Sequence, residues 1–244
     1  MAPAGGGSHS TGTVLSSAAL RIKPVSFEVD LIDGQKTGFF LDQWANTELV
    51  VSRVAASLAQ SNKKIRILDL CCYVGQWSTQ LARAFEARGL KCEVLLVDAS
   101  QEALKRAQAN VRSNAPNTEI KSLQGNVLKD LVELEAQTFD VVISDPPALI
   151  KSRKDIPTGT HAYLQLHTQA LRLVKRGGWV AACSCSGLLT EESFGETLAK
   201  ASKRNDLGCE VRWVARGGQS PDHPVLAEFP EGRYLKVWLG AVCE

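Results

Sequence analysis

Ile65-Arg66-Ile67-Leu68-Asp69-Leu70, running into Cys71-Cys72-Tyr73-Val74-Gly75, is the stretch on which the fold turns. A short, mostly apolar run that ends in a glycine-bearing loop fits a strand buried on both faces. The apolar residues past Gly75 predict a helix from about Ser78 to Ala87. Glycine at such a strand-to-helix turn accepts positive φ and lets the backbone approach a ligand. The loop is not Gly-x-Gly-x-x-Gly, so the dinucleotide signature is missing.

Working outward, the pattern repeats. Strands are expected at Cys92–Val97, up to about Ser122, at Phe139–Ser144 and at Trp179–Cys183, with further strands near Cys209–Val214 and Tyr234–Leu239. Helices are expected at about Gln101–Ser113, Ala162–Val174 and Glu191–Arg204. Regular alternation implies an α/β fold whose mostly parallel sheet is covered on both faces. Toward the N-terminus, Phe27–Leu31 alternates apolar and polar, Asp33-Gly34 suits a hairpin turn, and Thr37–Leu41 can return as the partner strand. Asp42 is then the expected N-cap of a helix to about Gln60, with Leu49, Val50, Val54 and Leu58 at helical spacing. The expected organisation is a disordered leader over 1–24, a hairpin-and-helix extension over 25–62, and one α/β domain over 63–244.

Composition sets the bounds. Hydrophobic residues make up 44% and charged residues 22% of the 244, as in soluble globular cores. No apolar run approaches the ~20 residues that span a membrane, and the Gly/Ser/Ala-rich start lacks the form of a secretory signal. Seven cysteines, an odd number, fit reduced thiols in the cytoplasm. No metal is expected, since no Cys-x-x-Cys pair occurs and His9, His161, His167 and His223 are scattered. A net charge of +2 neither requires nor excludes a polyanion. The basic run Lys151-Ser152-Arg153-Lys154 is either a solvated loop or a phosphate contact.

Strand ends carry the chemistry. Asp145-Pro146-Pro147 follows one apolar strand and Ser184-Cys185-Ser186 another. In an open α/β sheet both would face the crevice where ligands bind, a pairing that suits attack of sulfur on a flat, electron-poor ring. Asp98, ending the second strand, is placed to accept ribose hydroxyls or else to cap the next helix with Ser100. Gly125-Asn126 could offer an amide oxygen to an adenine amino group.

Taken together, Gly34-Gln35-Lys36-Thr37-Gly38-Phe39-Phe40-Leu41-Asp42-Gln43, Leu68-Asp69-Leu70-Cys71, Val97-Asp98-Ala99-Ser100, Asp145-Pro146-Pro147, Cys183-Ser184-Cys185-Ser186-Gly187, Asp222-His223-Pro224-Val225 and Pro230-Glu231-Gly232-Arg233-Tyr234-Leu235-Lys236 resemble a known family. It is the class I S-adenosylmethionine (SAM)-dependent methyltransferases that make 5-methylcytosine in large-subunit ribosomal RNA. The likeness runs from about Phe27 to the C-terminus. It implies a Rossmann-like class I methyltransferase fold with a seven-stranded sheet and an antiparallel final strand. It implies SAM as cofactor, held by Phe40, Asp69, Tyr73, Gly75, Asp98, Ala99, Asn126 and Asp145. It implies RNA as partner, met by Pro146, Pro147, Lys151 and His223, with Cys185 and Asp145 as the catalytic pair. Three departures stand out: the PUA domain that usually precedes this domain is absent, Trp44 replaces a usual arginine, and Asn126 replaces a usual aspartate.

The resemblance implies covalent catalysis, in which a thiolate adds to carbon 6 of cytosine and makes carbon 5 nucleophilic. Cys185 matches the family's nucleophile, against the plainer reading of a buried inert thiol. Cys183 is assigned to packing. Asp145 would hydrogen-bond the ring nitrogen or amino group. His223 is assigned a structural or substrate-positioning role. Two alternatives stand beside this reading: methylation of a small molecule or protein, and a non-catalytic RNA-binding protein of ribosome assembly.

Overall fold

The computed structural model describes residues 17–22, 24–30, 38–204, 210–229 and 232–243. Its main body is a seven-stranded sheet. In chain order the strands are β3 (Ile65–Leu70), β4 (Cys92–Asp98), β5 (Glu119–Gln124), β6 (Phe139–Ser144), β7 (Val174–Ser184), β8 (Val211–Gly217) and β9 (Lys236–Val242). They lie in the order β5-β4-β3-β6-β7-β9-β8. β5, β4, β3, β6 and β7 are mutually parallel, and β9 runs antiparallel between β7 and β8. The Rossmann-like α/β expectation, its antiparallel last strand included, is met. The last two strands sit a few residues later than expected, and Cys209 lies outside the described residues.

Parity along the strands sorts the core. Ile65 and Ile67 of β3 face α1 (Trp44–Ser57), α2 (Gln76–Glu86) and α3 (Gln101–Asn114), packing with Val50, Leu81, Phe85 and Leu104. Leu68 and Leu70 point the other way, toward α4 (Ile156–Leu173) and α5 (Glu191–Arg204), and meet Leu166, Leu171 and Ala201. Both faces are therefore dry, as a parallel sheet requires. Among the described residues no helix is long and apolar enough to cross a membrane.

The N-terminal extension departs from expectation in three ways. A hairpin is present, but the partner of β2 (Val25–Asp30) is β1 (Ser17–Ile22), upstream, in antiparallel register. Part of the expected leader is thus a strand. The expected return strand is not formed over 38–41, where a bend leads into a 3-10 turn, Leu41–Gln43; the Asp33-Gly34 turn lies outside the described residues. Asp42 does not cap α1: it sits inside that turn, and its carboxylate accepts the Tyr234 hydroxyl. The hairpin's apolar side chains Val25, Phe27 and Val29 close on Phe39 and Val74. Two asparagines one helical turn apart on α3 hold the outer edge of β2. Asn114 bonds Ser26 N–H and C=O at 3.0 and 2.7 Å, and Asn110 bonds those of Glu28 at 2.8 and 3.3 Å.

Gly75 is where this packing tolerates one residue. It adopts φ +75°, and an added Cβ would stand 3.1 Å from Ala107 Cβ and 3.2 Å from Ala107 Cα, pressing α2 against α3. Gly75→Ala should destabilise the protein by about 1–3 kcal/mol, from left-handed backbone strain plus the contact with α3. Urea unfolding measures this; an unchanged midpoint would contradict the packing account.

Candidate active site

The chain leaves β3 toward β4 on one side and passes to β6 on the other, so the sheet has its switch point between β3 and β6. A cavity of about 550 Å³ opens there, at the carboxyl ends of the parallel strands. Of the residues expected in a site, it brings together Phe40, Tyr73, Asp98, Ala99, Asn126, Asp145, Pro146, Pro147 and Cys185. Asp69, Gly75, Lys151 and His223 are not in its wall.

The fold puts those four to different uses. Asp69 shares the parity of Ile65 and Ile67, so it points under α2, fully buried, and accepts Ser78 N–H at 3.1 Å. Its second oxygen is buried without a hydrogen-bond partner, and burial pushes its pKa up to about 7. It holds the start of α2 and lies outside the cavity wall. Gly75 is buried beneath the loop, serving the turn and the approach of α3. Lys151 is exposed; His223 is exposed too, with its Nδ1 3.3 Å from the Asp222 carboxylate.

The loop after β3 is strained and pinned. Cys71 and Tyr73 adopt φ of 61° and 47°, left-handed values that are costly for residues with a Cβ. Tyr73 N–H donates to Asp98 Oδ2 at 2.9 Å, and Cys72 N–H to Val97 O at 3.1 Å. Asp98 Oδ1 accepts Ser100 N–H at 2.9 Å, while the N-cap of α3 is the Ser100 hydroxyl, which accepts Ala103 N–H at 3.2 Å. Each Asp98 oxygen keeps a further lone pair for a ligand. Asn126 is partly committed as well, since its Oδ1 accepts Leu128 N–H at 2.9 Å. Gln76, at the first turn of α2, lines the cavity, and its Nε2 is buried without a hydrogen-bond partner.

Asp145 sits at the centre. Its Oδ2 accepts Gln43 Nε2–H and Trp77 Nε1–H, both at 2.9 Å. Gln43 is itself oriented by Asn46, which donates to Gln43 Oε1 at 2.7 Å. Burial raises the Asp145 pKa to about 6, with the Asp42 charge adding to it; the bonds from Trp77, Gln43 and the Cys183 thiol oppose the rise. Cys183 is therefore more than packing: fully buried, it hydrogen-bonds the central carboxylate, and burial pushes its thiol up. Cys185, half-buried and on the cavity wall, directs Sγ to Pro146 O at 3.7 Å. The thiol thus leans on the strap that begins with Asp145.

Sequence reasoning does not single out Gln43 and Trp77 as holders of Asp145, nor the wall residues Cys71, Gln76 and Tyr234. Among the described residues the wall includes three carboxylates, Asp42, Asp98 and Asp145, and no lysine or arginine. That charge suits a cationic ligand. A flat ring entering between the prolines and Cys185 would meet a thiol and a carboxyl whose pKa is near 6.

Comparison with known proteins points the same way. A methyltransferase domain family matches residues 61–228. A Photobacterium profundum protein named ribosomal RNA large subunit methyltransferase I is 33% identical over 215 residues, covering 87% of this chain and 50% of that protein. A Streptococcus mutans structure provisionally described as a SAM-dependent methyltransferase superposes with a TM-score of 0.72 at 20% identity, over 95% of this chain and 57% of that one. A methyltransferase structure complexed with SAH matches with the same figures. At this identity the structural likeness speaks for the fold. The chain spans about half the length of the curated relatives it matches.

The site generates a direct electrostatic test. Trp77→Phe keeps an aromatic ring in place but removes one of the hydrogen bonds that favour ionised Asp145, so the carboxyl should titrate at higher pH than in the native protein. Carbon-13 NMR of labelled aspartate would follow it; a midpoint unmoved or lowered would show that Trp77 does not hold the charge.

Proposed function

The chain belongs to the methyltransferase domain family, and from that premise we propose that it transfers a methyl group from SAM to carbon 5 of a cytosine in RNA, through a covalent adduct on Cys185. The observation that carries the proposal is the meeting of Cys185 and Asp145 in one cavity, with the thiol bonded to the Pro146 carbonyl. The names of the curated relatives support ribosomal RNA of the large subunit as the acceptor.

The residues present fit SAM. The acidic wall suits a sulfonium, and the orphaned Gln76 Nε2 suits a carboxylate beside the N-terminus of α2. Asp98 would take the ribose hydroxyls, Phe40 and Tyr73 would cover the cofactor, and Ala99 and Asn126 would border its base. When bound, SAM supplies an electrophilic methyl group.

The chain's own part is to prepare the acceptor. Carbon 5 of cytosine is a weak nucleophile. The Cys185 thiolate adds to carbon 6, forming an S–C bond, and the electron pair of the 5,6 double bond becomes available at carbon 5. Protonated Asp145 donates its hydrogen to the ring nitrogen, limiting the charge that builds on the ring. After methylation, water takes the carbon 5 proton, that electron pair re-forms the 5,6 double bond as the S–C bond breaks and the thiolate leaves, and the ring nitrogen returns its proton to Asp145. Pro146 and Pro147 offer an apolar face to the base, which must be single-stranded or flipped out. Lys151 and His223, outside the cavity, are left to the RNA beyond the target base.

Two outcomes test the proposal. Asp98→Ala should weaken SAM binding about tenfold or more in calorimetry, the worth of a charge-assisted hydrogen bond; equal affinity would take Asp98 out of the cofactor site. RNA carrying 5-fluorocytidine should trap the protein, because fluorine cannot leave as a cation. The adduct should survive denaturing electrophoresis, vanish in Cys185→Ser and persist in Cys183→Ser. Normal methylation by Cys185→Ser would overturn the covalent mechanism.

A further inference from the structure

Lys236 opens β9, where it stands opposite Ser184 in the antiparallel pair with β7, one residue before Cys185. It is only 2% exposed. Its Nζ donates to Ser186 O and Leu189 O, both at 2.7 Å. Those carbonyls belong to the turn that follows Cys185. The same turn is tied on its other side, where Ser186 Oγ accepts Ile150 N–H at 3.1 Å and pairs with the Tyr163 hydroxyl at 2.9 Å. Cys185 is thus fixed between a buried ammonium and the Asp145-Pro146 strap.

Two neutral carbonyls satisfy hydrogen bonds but leave the charge uncompensated, and an uncompensated buried cation is costly. Glu191 acts on it, but this carboxylate is exposed and engaged by Trp238 Nε1. Among the described residues Cys185 acts on it as well. Conversely, the titratable groups whose charges act with Cys185 include Cys71, Tyr163, Cys183 and Tyr234, all acids, and Lys236, a base.

We propose that Lys236 is the positioning residue of the nucleophile: it clamps the turn after Cys185 and supplies the positive charge against which the thiolate forms. The S–H proton leaves to water, and the thiolate and ammonium neutralise one another. Burial holds the Lys236 pKa at about 8, with Glu191 and Cys185 pulling it upward, so the side chain is still mainly cationic at neutral pH. The inference rests on the reading of Cys185 as nucleophile, and its test needs no RNA.

The test is the pH dependence of Cys185 alkylation by iodoacetamide, followed on its own peptide by mass spectrometry, in the full chain and in Lys236→Met. The native midpoint should lie below the ordinary cysteine value of about 8.5. In Lys236→Met it should rise by about one unit, slowing alkylation about tenfold at neutral pH. Thermal melting establishes that the variant is folded. A native midpoint at or above the ordinary value overturns the proposal, as does an unmoved midpoint in folded Lys236→Met. If the variant does not fold, the native midpoint decides. Should 5-fluorocytidine RNA fail to trap a protein with a lowered, Lys236-dependent midpoint, the RNA reading falls and the role of Lys236 stands.

Discussion

A buried carboxylate must be solvated, and among the described residues Asp145 has no cation beside it and obtains dipoles from three separate elements. Gln43 comes from the turn before α1, Trp77 from the first turn of α2, and the Cys183 thiol from β7. Each can reach Asp145 only if its element is seated correctly. The carboxylate therefore joins the N-terminal extension, the start of α2 and the centre of the sheet. Burial outweighs these neutral donors, so the carboxyl keeps its proton up to about pH 6. An arginine in place of Gln43 or Trp77 would favour the ionised form.

The rest of the cavity follows from sheet topology. Five parallel strands deliver their carboxyl ends to one edge, so Cys71, Asp98, Asn126, Asp145 and Cys185 converge although they are spread over more than a hundred residues. The loop after β3 carries left-handed strain at Cys71 and Tyr73, and Asp98 offsets it by accepting the Tyr73 amide. Asp98 is thus a structural acceptor as well as a wall residue.

Much of this is legible in the chain. The apolar runs locate β3, β4 and β6 to within a residue, because strands buried on both faces cannot hide their composition. The pairing of Asp145 with Cys185 is legible because both sit one step past such runs. The expected hairpin misses by one strand: Asp33-Gly34 is a strong local turn signal, whereas β1 is set by its pairing with β2 and by packing of Ala18, Leu20 and Ile22 on the cluster around Val74. Asp69 and Gly75 lie off the cavity wall although their strand-end position points to it, because strand parity relative to a helix is not visible in sequence. Trp77 and Gln76 look like ordinary helix residues; only the closure of α2 over β3 shows one donating to Asp145 and the other left with an orphaned amide. Cys183 passes for filler because a buried thiol and a hydrogen-bonding one have the same sequence signature.

The two asparagines of α3 have a consequence for how molecules of this protein meet one another. A two-stranded hairpin has two outer edges, here those of β1 and β2, each a template on which another chain can add a strand. Here the outward N–H and C=O groups of Ser26 and Glu28 are already taken by Asn114 and Asn110, whose amides mimic the ladder of a neighbouring strand. Carboxamides on a helix thereby do what a covering strand would do. They blunt that edge against intermolecular β-pairing without lengthening the sheet, and the hairpin they hold packs on Tyr73 and Val74 of the loop after β3.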